Sequence, residues 1–261
     1  TGNMLPTFAA RGTKRADAKL GKLEVAAQPT GIDLAATTPN DFPQFLGPAR
    51  NNYLPGPKLA DDWSATPPKE IWRQKIGAGW SAFSVQNGYA VTMEQRGNEE
   101  WVTCYEVATG KPVWGHSIVA RHENVLGGIG PRSTPTIHNG KVYAMGATGV
   151  LRCLDGATGK LLWKDDLFVR YGLEQIPAEE VVMWGRASSP LIVDNLVVVS
   201  AGGPLAKSKS LIAYDAVTGK VAWEGGERQI GYASPSIMTL GGKRQTVIVN
   251  EETVTGNDIK T

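Results

Sequence analysis

The sequence predicts an all-β protein that forms part of a β-propeller, with about four blades of four antiparallel strands each. Three observations support this prediction. One eleven-residue turn segment recurs three times, a strand–turn–strand pattern precedes each copy, and 31 Gly and 16 Pro punctuate short segments along the chain. Four-strand units at a repeat of roughly 50 residues are typical of propeller blades. A two-sheet sandwich, the main alternative, has no reason to repeat one turn in every unit.

The recurring turn contains a small residue, an acidic residue two positions later, then Thr-Gly-Lys and Trp. Its copies lie at 104–114, 153–163 and 213–223. The acidic side chain can accept hydrogen bonds from the amides of its own turn, and glycine adopts a positive φ without steric cost. Tryptophan is large enough to bury considerable surface against a neighbouring turn. We therefore expect each tryptophan to join its blade to the next one.

The pattern before each turn indicates a β-hairpin. Asn-Gly stands between two apolar runs at 139–140 and, in a weaker copy, at 87–88. This dipeptide in this setting is the strongest short-range signal for a hairpin. Related patterns begin at Ser188 and Ala233. Complete units are therefore expected at about 80–118, 131–168, 186–226 and from 232 onward.

Composition divides the chain into three parts. Residues 1–40 are rich in Ala, Thr, Lys and Gly, and are expected to form a flexible N-terminal arm or linker. Residues 41–68 form a Pro-rich leading segment expected to pack on the propeller, which occupies 69–261. Residues 69–76 align with 111–118, and so predict an outer strand that completes the last blade. The final turn copy stops at Thr261, which predicts a propeller incomplete at its C-terminus and a fragment of a longer chain.

Charge and composition exclude several classes of protein. The net charge of +2 comes without a basic stripe, which argues against nucleic-acid binding. The sequence has no apolar run of 18 residues, so no transmembrane segment is predicted. Cys104 and Cys153 occupy the same small position in neighbouring repeats, which should hold them beyond the disulfide limit of about 7 Å. We therefore expect two buried free thiols. No metal site is predicted, since the three histidines lack metal-ligand spacing. No catalytic residues are predicted either.

The candidate binding residues are those expected at the mouth of the central channel, where the innermost strands begin. Alignment of the repeats places Trp80, Arg132 and Tyr232 there, and it places Arg186 at the neighbouring position of its own repeat. Two arginines with two aromatic rings are suited to an anionic planar ligand. The alternative is that the arginines lie on the surface and the aromatic residues pack the rim.

The recurring turn closely resembles the tryptophan-docking motif of pyrroloquinoline quinone (PQQ) propeller repeats. The segment Phe-Pro-Gln-Phe-Leu-Gly-Pro-Ala-Arg at 42–50 is also similar to the Trp-Pro-x-Phe-Arg-Gly-Pro-x-Arg start of many PQQ-like envelope proteins. The resemblance covers roughly residues 41–261. It implies a ring of seven or eight blades in the periplasm or cell envelope of a bacterium.

The resemblance leaves three functions open. PQQ-like propellers include quinoprotein alcohol dehydrogenases and non-enzymatic proteins, such as the lipoprotein of the outer-membrane β-barrel assembly machinery. We favour a non-catalytic binding or scaffold protein with a protein partner or larger assembly. This chain lacks the adjacent cysteines common in the dehydrogenases, and their Ca²⁺ ligands cannot be matched. The alternatives are a periplasmic PQQ- and Ca²⁺-dependent dehydrogenase of alcohols or sugars, and a structural subunit.

Overall fold

A computed structural model describes residues 17–21, 23–25, 31–174, 182–203 and 208–260. Its first antiparallel sheet follows chain order. The strands are β1 (Ser84–Gln86), β2 (Tyr89–Arg96), β3 (Glu99–Glu106) and β4 (Pro112–Val119). A small hairpin follows, made of β5 (Glu123–Asn124) and β6 (Gly128–Ile129).

Three further sheets repeat the arrangement. The second contains β7 (Thr136–His138), β8 (Lys141–Met145), β9 (Val150–Asp155) and β10 (Leu161–Asp166), and the short helix α1 (Leu167–Arg170) follows it. The third contains β11 (Leu191–Val193), β12 (Leu196–Gly202), β13 (Lys209–Asp215) and β14 (Val221–Gly225). The fourth has three strands, β15 (Ser236–Leu240), β16 (Lys243–Val249) and β17 (Val254–Asp258). The predicted all-β propeller architecture is confirmed.

The hydrophobic core lies between neighbouring sheets. Val91 and Val102 of the first sheet pack with Val142 and Leu154 of the second, and two similar clusters join the second sheet to the third and the third to the fourth. Alternate residues of each strand therefore face one neighbouring sheet, as expected for stacked blades. The sheets are held together mainly by burial of these apolar side chains.

Both cysteines lie in this core. Cys104 and Cys153 are buried free thiols, as predicted from their positions in the repeat. Burial raises the pKa of Cys104, and it raises the pKa of Cys153 to about 12. A thiol that stays protonated and inaccessible is a poor nucleophile. The cysteines therefore pack as small apolar groups.

The recurring turn has the local structure that its residues predict. The Asp155 carboxylate accepts a hydrogen bond from the Thr158 amide at 2.9 Å, and Asp215 accepts one from Thr218 at 2.7 Å. Gly159 has a φ of 70°, in the left-handed region that glycine enters without strain. Each turn thus closes on its own acidic side chain.

One tryptophan contacts each turn, three of them from the outer strand of the preceding sheet and Trp72 from a segment outside the strands. The indole Nε1 donates to the carbonyl oxygen of the residue after the acidic one in every copy. These pairs are Trp72–Val107 at 2.7 Å, Trp114–Gly156 at 2.9 Å, Trp163–Ala216 at 3.2 Å and Trp223–Ile259 at 2.9 Å. The tryptophan of one sheet therefore contacts the turn of the next.

The Ser/Thr-Pro pattern links the first strands of neighbouring sheets. The Ser189 hydroxyl accepts from the Thr134 amide at 2.9 Å, and the Ser234 hydroxyl accepts from the Ser189 amide at 2.9 Å. The Thr136 hydroxyl also donates to the Pro190 carbonyl at 2.6 Å. Hydroxyl groups thus satisfy two backbone amides and one backbone carbonyl where the sheets converge.

The end of the predicted N-terminal arm differs from a free linker. Ile32 and Leu34 are buried in the cluster between the first two sheets. Gln86 donates to the Leu34 carbonyl at 2.8 Å. The reason is that these two apolar side chains cover the junction of the sheets. The rest of the predicted arm up to residue 30, apart from 17–21 and 23–25, lies outside the described residues.

The leading segment packs on the propeller through its first residues. Phe42 forms an antiparallel bridge with Val85, and the Pro43 carbonyl accepts from the Ile137 amide at 2.8 Å. Arg50 donates to the Pro190 carbonyl at 3.1 Å. Residues 55–68 are exposed. The segment thus contacts the first strands of three sheets, and its later residues are exposed to solvent.

An ion pair bridges the first two sheets inside the core. Arg152 of β9 donates to the Glu100 carboxylate of β3 at 2.6 Å, and both side chains are buried. The Ala147 amide donates to the other Glu100 oxygen at 3.0 Å. Burial raises the pKa of Glu100, and Arg152 opposes that rise. The pair fixes how the two sheets align.

His116 makes stability dependent on pH. Burial, and then the charges of Arg152 and Lys164, lower its pKa to about 4. The unfolded chain takes up a proton near pH 6.5, so stability should fall as the pH drops from about 6.5 towards 4. Urea titrations across this range should show a smaller loss for His116→Gln. An equal loss in that variant would contradict a role for His116.

Candidate functional site

The predicted binding residues can be followed from the segments that lead into the first strand of each sheet. Trp80 precedes β1, Arg132 precedes β7, Arg186 precedes β11 and Tyr232 precedes β15. Three of these side chains lie around the β5–β6 hairpin, together with Trp184. We call Trp80, Trp184 and Tyr232 the aromatic cluster.

Trp80 and Arg132 meet on one carbonyl group of the hairpin. The Trp80 indole donates to the Gly127 oxygen at 2.8 Å, and Arg132 Nη2 donates to the same oxygen at 2.7 Å. Arg132 also donates to the carbonyls of Gly128 and Gly130. Burial lowers the pKa of Arg132, and the nearby Tyr232 opposes this. The guanidinium therefore holds the hairpin, and its donors are directed at backbone oxygens.

Tyr232 and Trp184 form a stacked pair beside this hairpin. Their ring centroids are 5.2 Å apart with an interplanar angle of 29°. Asn124 of the hairpin donates to the Met183 carbonyl at 3.1 Å, which holds the segment with Trp184 in place. Residues Trp80, Trp184 and Tyr232 are 68%, 42% and 41% exposed. The cluster thus presents three aromatic side chains to solvent from a hydrogen-bonded base.

Arg186 is separated from the aromatic cluster. It is 1% exposed and lies between the second and third sheets, where it donates to the Ala201 carbonyl at 2.7 Å. Its guanidinium lies over the Phe168 ring, 6.0 Å from the centroid. Burial lowers its pKa to about 10. Among the described residues, its Nε and Nη2 atoms have no hydrogen-bond partner.

Trp184 was missed by the sequence reasoning. It lies between two repeat units, in a segment that has no counterpart elsewhere in the chain, so repeat alignment gave it no position. The useful signal was the Met-Trp-Gly sequence directly before Arg186, a predicted candidate for the mouth. Exposed Leu126 and Met183 flank the cluster and extend its apolar surface.

A cleft lies near the cluster, beside the turn between β8 and β9. Its volume is about 310 Å³, and its lining includes Val119, His122, Thr148 and Phe168. The lining is mainly apolar, with a carboxylate from Asp166 that caps helix α1. That carboxylate accepts hydrogen bonds from the amides of Phe168 and Val169, so its role is to stabilise the start of the helix.

Within residues 17–260 as far as they are described, no three His, Cys, Asp or Glu side chains come together as a metal-binding group. The same part of the chain has no helix long and apolar enough to cross a membrane. The aromatic cluster presents exposed rings over a hydrogen-bonded base, and such rings provide contact area at low entropic cost.

Comparison with known proteins defines the class of propeller. A family model described as outer membrane protein assembly factor BamB matches residues 63–183 and 98–261. These matches cover most of the chain. The chain belongs to this family of PQQ-like repeat propellers.

Solved structures that are similar to this chain include an alcohol dehydrogenase and a BamB protein. Quinohemoprotein alcohol dehydrogenase from Comamonas testosteroni is 21% identical over 73% of this chain and 27% of its own, with a TM-score of 0.52. BamB from Moraxella catarrhalis is 16% identical over 68% of this chain and 58% of its own, with a TM-score of 0.33. The chain therefore spans about a quarter of the dehydrogenase. No curated protein sequence matches it.

Proposed function

We propose that this protein is a non-catalytic PQQ-like propeller of the bacterial cell envelope that binds a protein partner through its aromatic cluster. The observation that carries the proposal is that the aromatic side chains around the hairpin are exposed, whereas the guanidinium of Arg132 is engaged. Three aromatic side chains are exposed there, while the donors of Arg132 are directed at backbone carbonyls. Such a surface suits an apolar protein segment better than a small anion.

The proposal includes a structural role for the repeated tryptophans. We infer that Trp72, Trp114, Trp163 and Trp223 act as the docking tryptophans of this family, joining each sheet to the turn of the next. Their hydrogen bonds follow one pattern in all four positions. The repeats then stabilise the fold, and the hairpin with its neighbouring residues binds the partner.

A quinoprotein dehydrogenase is the second candidate. Its support is Arg186, a buried cation whose Nε and Nη2 lack partners among the described residues. PQQ is an anionic planar cofactor, and a cation with free donors is suited to it. The fit is poor at the aromatic cluster, because Arg186 lies between two sheets and Arg132 is bonded to the hairpin. We therefore derive no oxidation step for this chain.

Peptide binding tests the proposed function. We expect a peptide with alternating aromatic residues to bind the protein, and a matched peptide with serine at those positions to bind at least about tenfold more weakly. Trp184→Ala should lower the affinity about tenfold or more, because Trp184 and Tyr232 are stacked in the centre of the cluster. Isothermal titration calorimetry measures both effects.

Two controls make this experiment decisive. Trp63→Ala removes another exposed tryptophan, one that belongs to the leading segment and not to the cluster, and should leave peptide affinity unchanged. An absorbance titration with PQQ and Ca²⁺ examines the second candidate. Saturable PQQ binding that Arg186→Gln abolishes, with no peptide binding, would overturn the scaffold proposal in favour of the dehydrogenase.

A further inference from the structure

The sequence contains two Asn-Gly pairs, and each forms the turn of a hairpin. Asn87 and Gly88 join β1 to β2, and Asn139 and Gly140 join β7 to β8. The asparagines have φ values of 47° and 48°, and the glycines that follow have φ values of 82° and 71°. Positive values at both positions are typical of tight two-residue hairpin turns. The two turns therefore have similar backbones, and their surroundings distinguish them.

An asparagine before a glycine can react with its own backbone. Asparagine is a thermolabile residue, and glycine has no side chain to hinder attack by its nitrogen. The glycine nitrogen loses its proton and attacks Cγ of the asparagine. The new C–N bond closes a succinimide ring, and the side-chain nitrogen leaves as ammonia. Water then opens the ring at one of its two carbonyls, which gives aspartate or isoaspartate, so water is the only co-reactant.

Hydrogen bonds to another segment hold the Asn87 side chain and backbone. The Asn87 amide donates to the Asp41 carboxylate at 3.0 Å, and its side-chain Nδ2 donates to the Asp33 carbonyl at 2.9 Å. Ring closure has to turn this side chain towards the Gly88 nitrogen. The fold therefore opposes the reaction at Asn87, because the bond to Asp33 has to break first.

The Asn139 side chain is exposed and held more loosely. Its Nδ2 lies 3.0 Å from Nε2 of His138, the preceding residue, so this contact moves with the turn. Among the described residues, the Asn139 side chain has no hydrogen bond to another segment. The attacking nitrogen has one restraint, because the Gly140 amide donates to the Leu34 carbonyl at 3.2 Å. The reaction at Asn139 therefore depends on the breaking of that one bond.

We propose that Asn139 is a site of spontaneous deamidation and isoaspartate formation in the folded protein, and that residues 31–36 control its rate through the Leu34 carbonyl. Leu34 is 1% exposed in the cluster between the first two sheets, so its burial keeps the carbonyl on Gly140. Local opening of residues 31–36 frees the Gly140 nitrogen. Asn139 follows β7, whereas Arg132 precedes it, so this inference is independent of the proposed binding site.

The two products should affect the hairpin differently. Isoaspartate adds a methylene group to the backbone of the turn, whereas aspartate keeps the backbone length. The pairing of His138 with Lys141 depends on the length of this turn, because turn length fixes the register of a hairpin. Gly140 also accepts from the Gly156 amide at 2.8 Å. Isoaspartate should therefore weaken the hairpin and loosen the cover that Leu34 provides between the first two sheets.

Peptide mapping by mass spectrometry measures the reaction at both turns. The protein is aged at neutral pH, folded and in urea, and the rate of each asparagine in the folded chain is divided by its rate in the unfolded chain. The fold should slow Asn139 at least about fivefold less than Asn87, the factor that one net hydrogen bond supplies. Heavy-oxygen water should label the new carboxyl group. Equal slowing at the two sites, or an intact Asn139 when the unfolded chain has fully reacted, would overturn the proposal.

Leu34→Ala examines the control by residues 31–36. The variant loses the buried side chain that keeps the carbonyl on Gly140, so Asn139 should react several-fold faster than in wild type. Leu59→Ala makes the same change at a residue that is 70% exposed, and should leave the rate unchanged. Circular dichroism verifies that the aged samples are folded, and Leu34→Val replaces Leu34→Ala if the latter is unfolded. A rate equal to that of wild type would contradict the control.

Urea unfolding of aged samples examines the consequence for the fold. Aged wild type should unfold at a lower urea concentration than fresh wild type. Asn139→Gln, whose longer side chain closes the ring poorly, should lose little on ageing. Fresh Asn139→Asp carries the new charge without the extra methylene, and should unfold close to fresh wild type. An equal loss on ageing in Asn139→Gln would show that another change causes it, and would contradict the effect of isoaspartate on the junction.

Discussion

Replacing Trp114 with alanine is expected to lower the free energy of unfolding by about 3–5 kcal/mol. The side chain is 3% exposed and lies in the cluster between the first two sheets. Its indole also donates to the Gly156 carbonyl at 2.9 Å. The substitution therefore leaves a large cavity and an unpaired carbonyl at one place. Urea unfolding followed by far-ultraviolet circular dichroism measures the loss.

Trp63 provides the matched control for this prediction. It is 54% exposed in the leading segment, so Trp63→Ala should change stability by no more than about 0.5 kcal/mol. Circular dichroism is preferred to fluorescence because both variants remove a tryptophan. A loss for Trp114→Ala no larger than for Trp63→Ala would show that the tryptophan–turn contacts contribute little to the joining of the sheets.

The recurring turn was predictable because its chemistry is local. An acidic residue, a threonine and a glycine within five positions determine their own hydrogen bonds, as Asp155 and Thr158 show. The Asn-Gly hairpins were predictable for the same reason, because the turn depends on the two residues themselves. Asn139 adopts a φ of 48° and Gly140 one of 71°. Repetition then gave the order of the strands and the burial of both cysteines.

The candidate site was less predictable because it depends on contacts between distant segments. Arg186 could point into the channel or between two sheets, and it lies between sheets where Gly149 and Gly202 leave room for its guanidinium. Trp184 lies in a segment that no other repeat shares, so alignment could not place it beside Tyr232. Likewise, the hydroxyl of Ser189 bonds to the backbone of another sheet, which its own hairpin pattern does not indicate.

The burial of Ile32 and Leu34 illustrates the same limit. Residues 31–36 have no strand periodicity, so composition grouped them with the N-terminal arm. Ile32 and Leu34 stabilise the fold by covering the gap between the first two sheets. This gap exists only after those sheets have packed. Sequence patterns reveal elements that repeat or that form local hydrogen bonds. A segment that packs on a surface formed by other elements has no such pattern.

The buried ion pair is expected to give the second large effect. Arg152→Met should lower the free energy of unfolding by about 3–5 kcal/mol at neutral pH, because it leaves the Glu100 carboxylate buried without its cation. Glu100→Leu combined with Arg152→Met should recover most of the loss, since apolar side chains replace both charges. A double-mutant cycle in urea separates the pairing of the charges from their burial.

The pH dependence of the Arg152→Met variant gives this prediction a sharper form. Burial already raises the pKa of Glu100 from 4.5, and Arg152 is what opposes that rise. Without the arginine, folded Glu100 holds its proton to higher pH than the unfolded chain does. The contribution of Glu100 to the stability of the variant should therefore be largest below about pH 4.5, and it should be lost as the pH rises through the folded pKa. The double variant has no carboxylate at position 100, so its stability relative to wild type should lack this loss. If Arg152→Met were equally destabilised at low and neutral pH, its effect would come from lost packing, and the ion pair would not determine how the two sheets align.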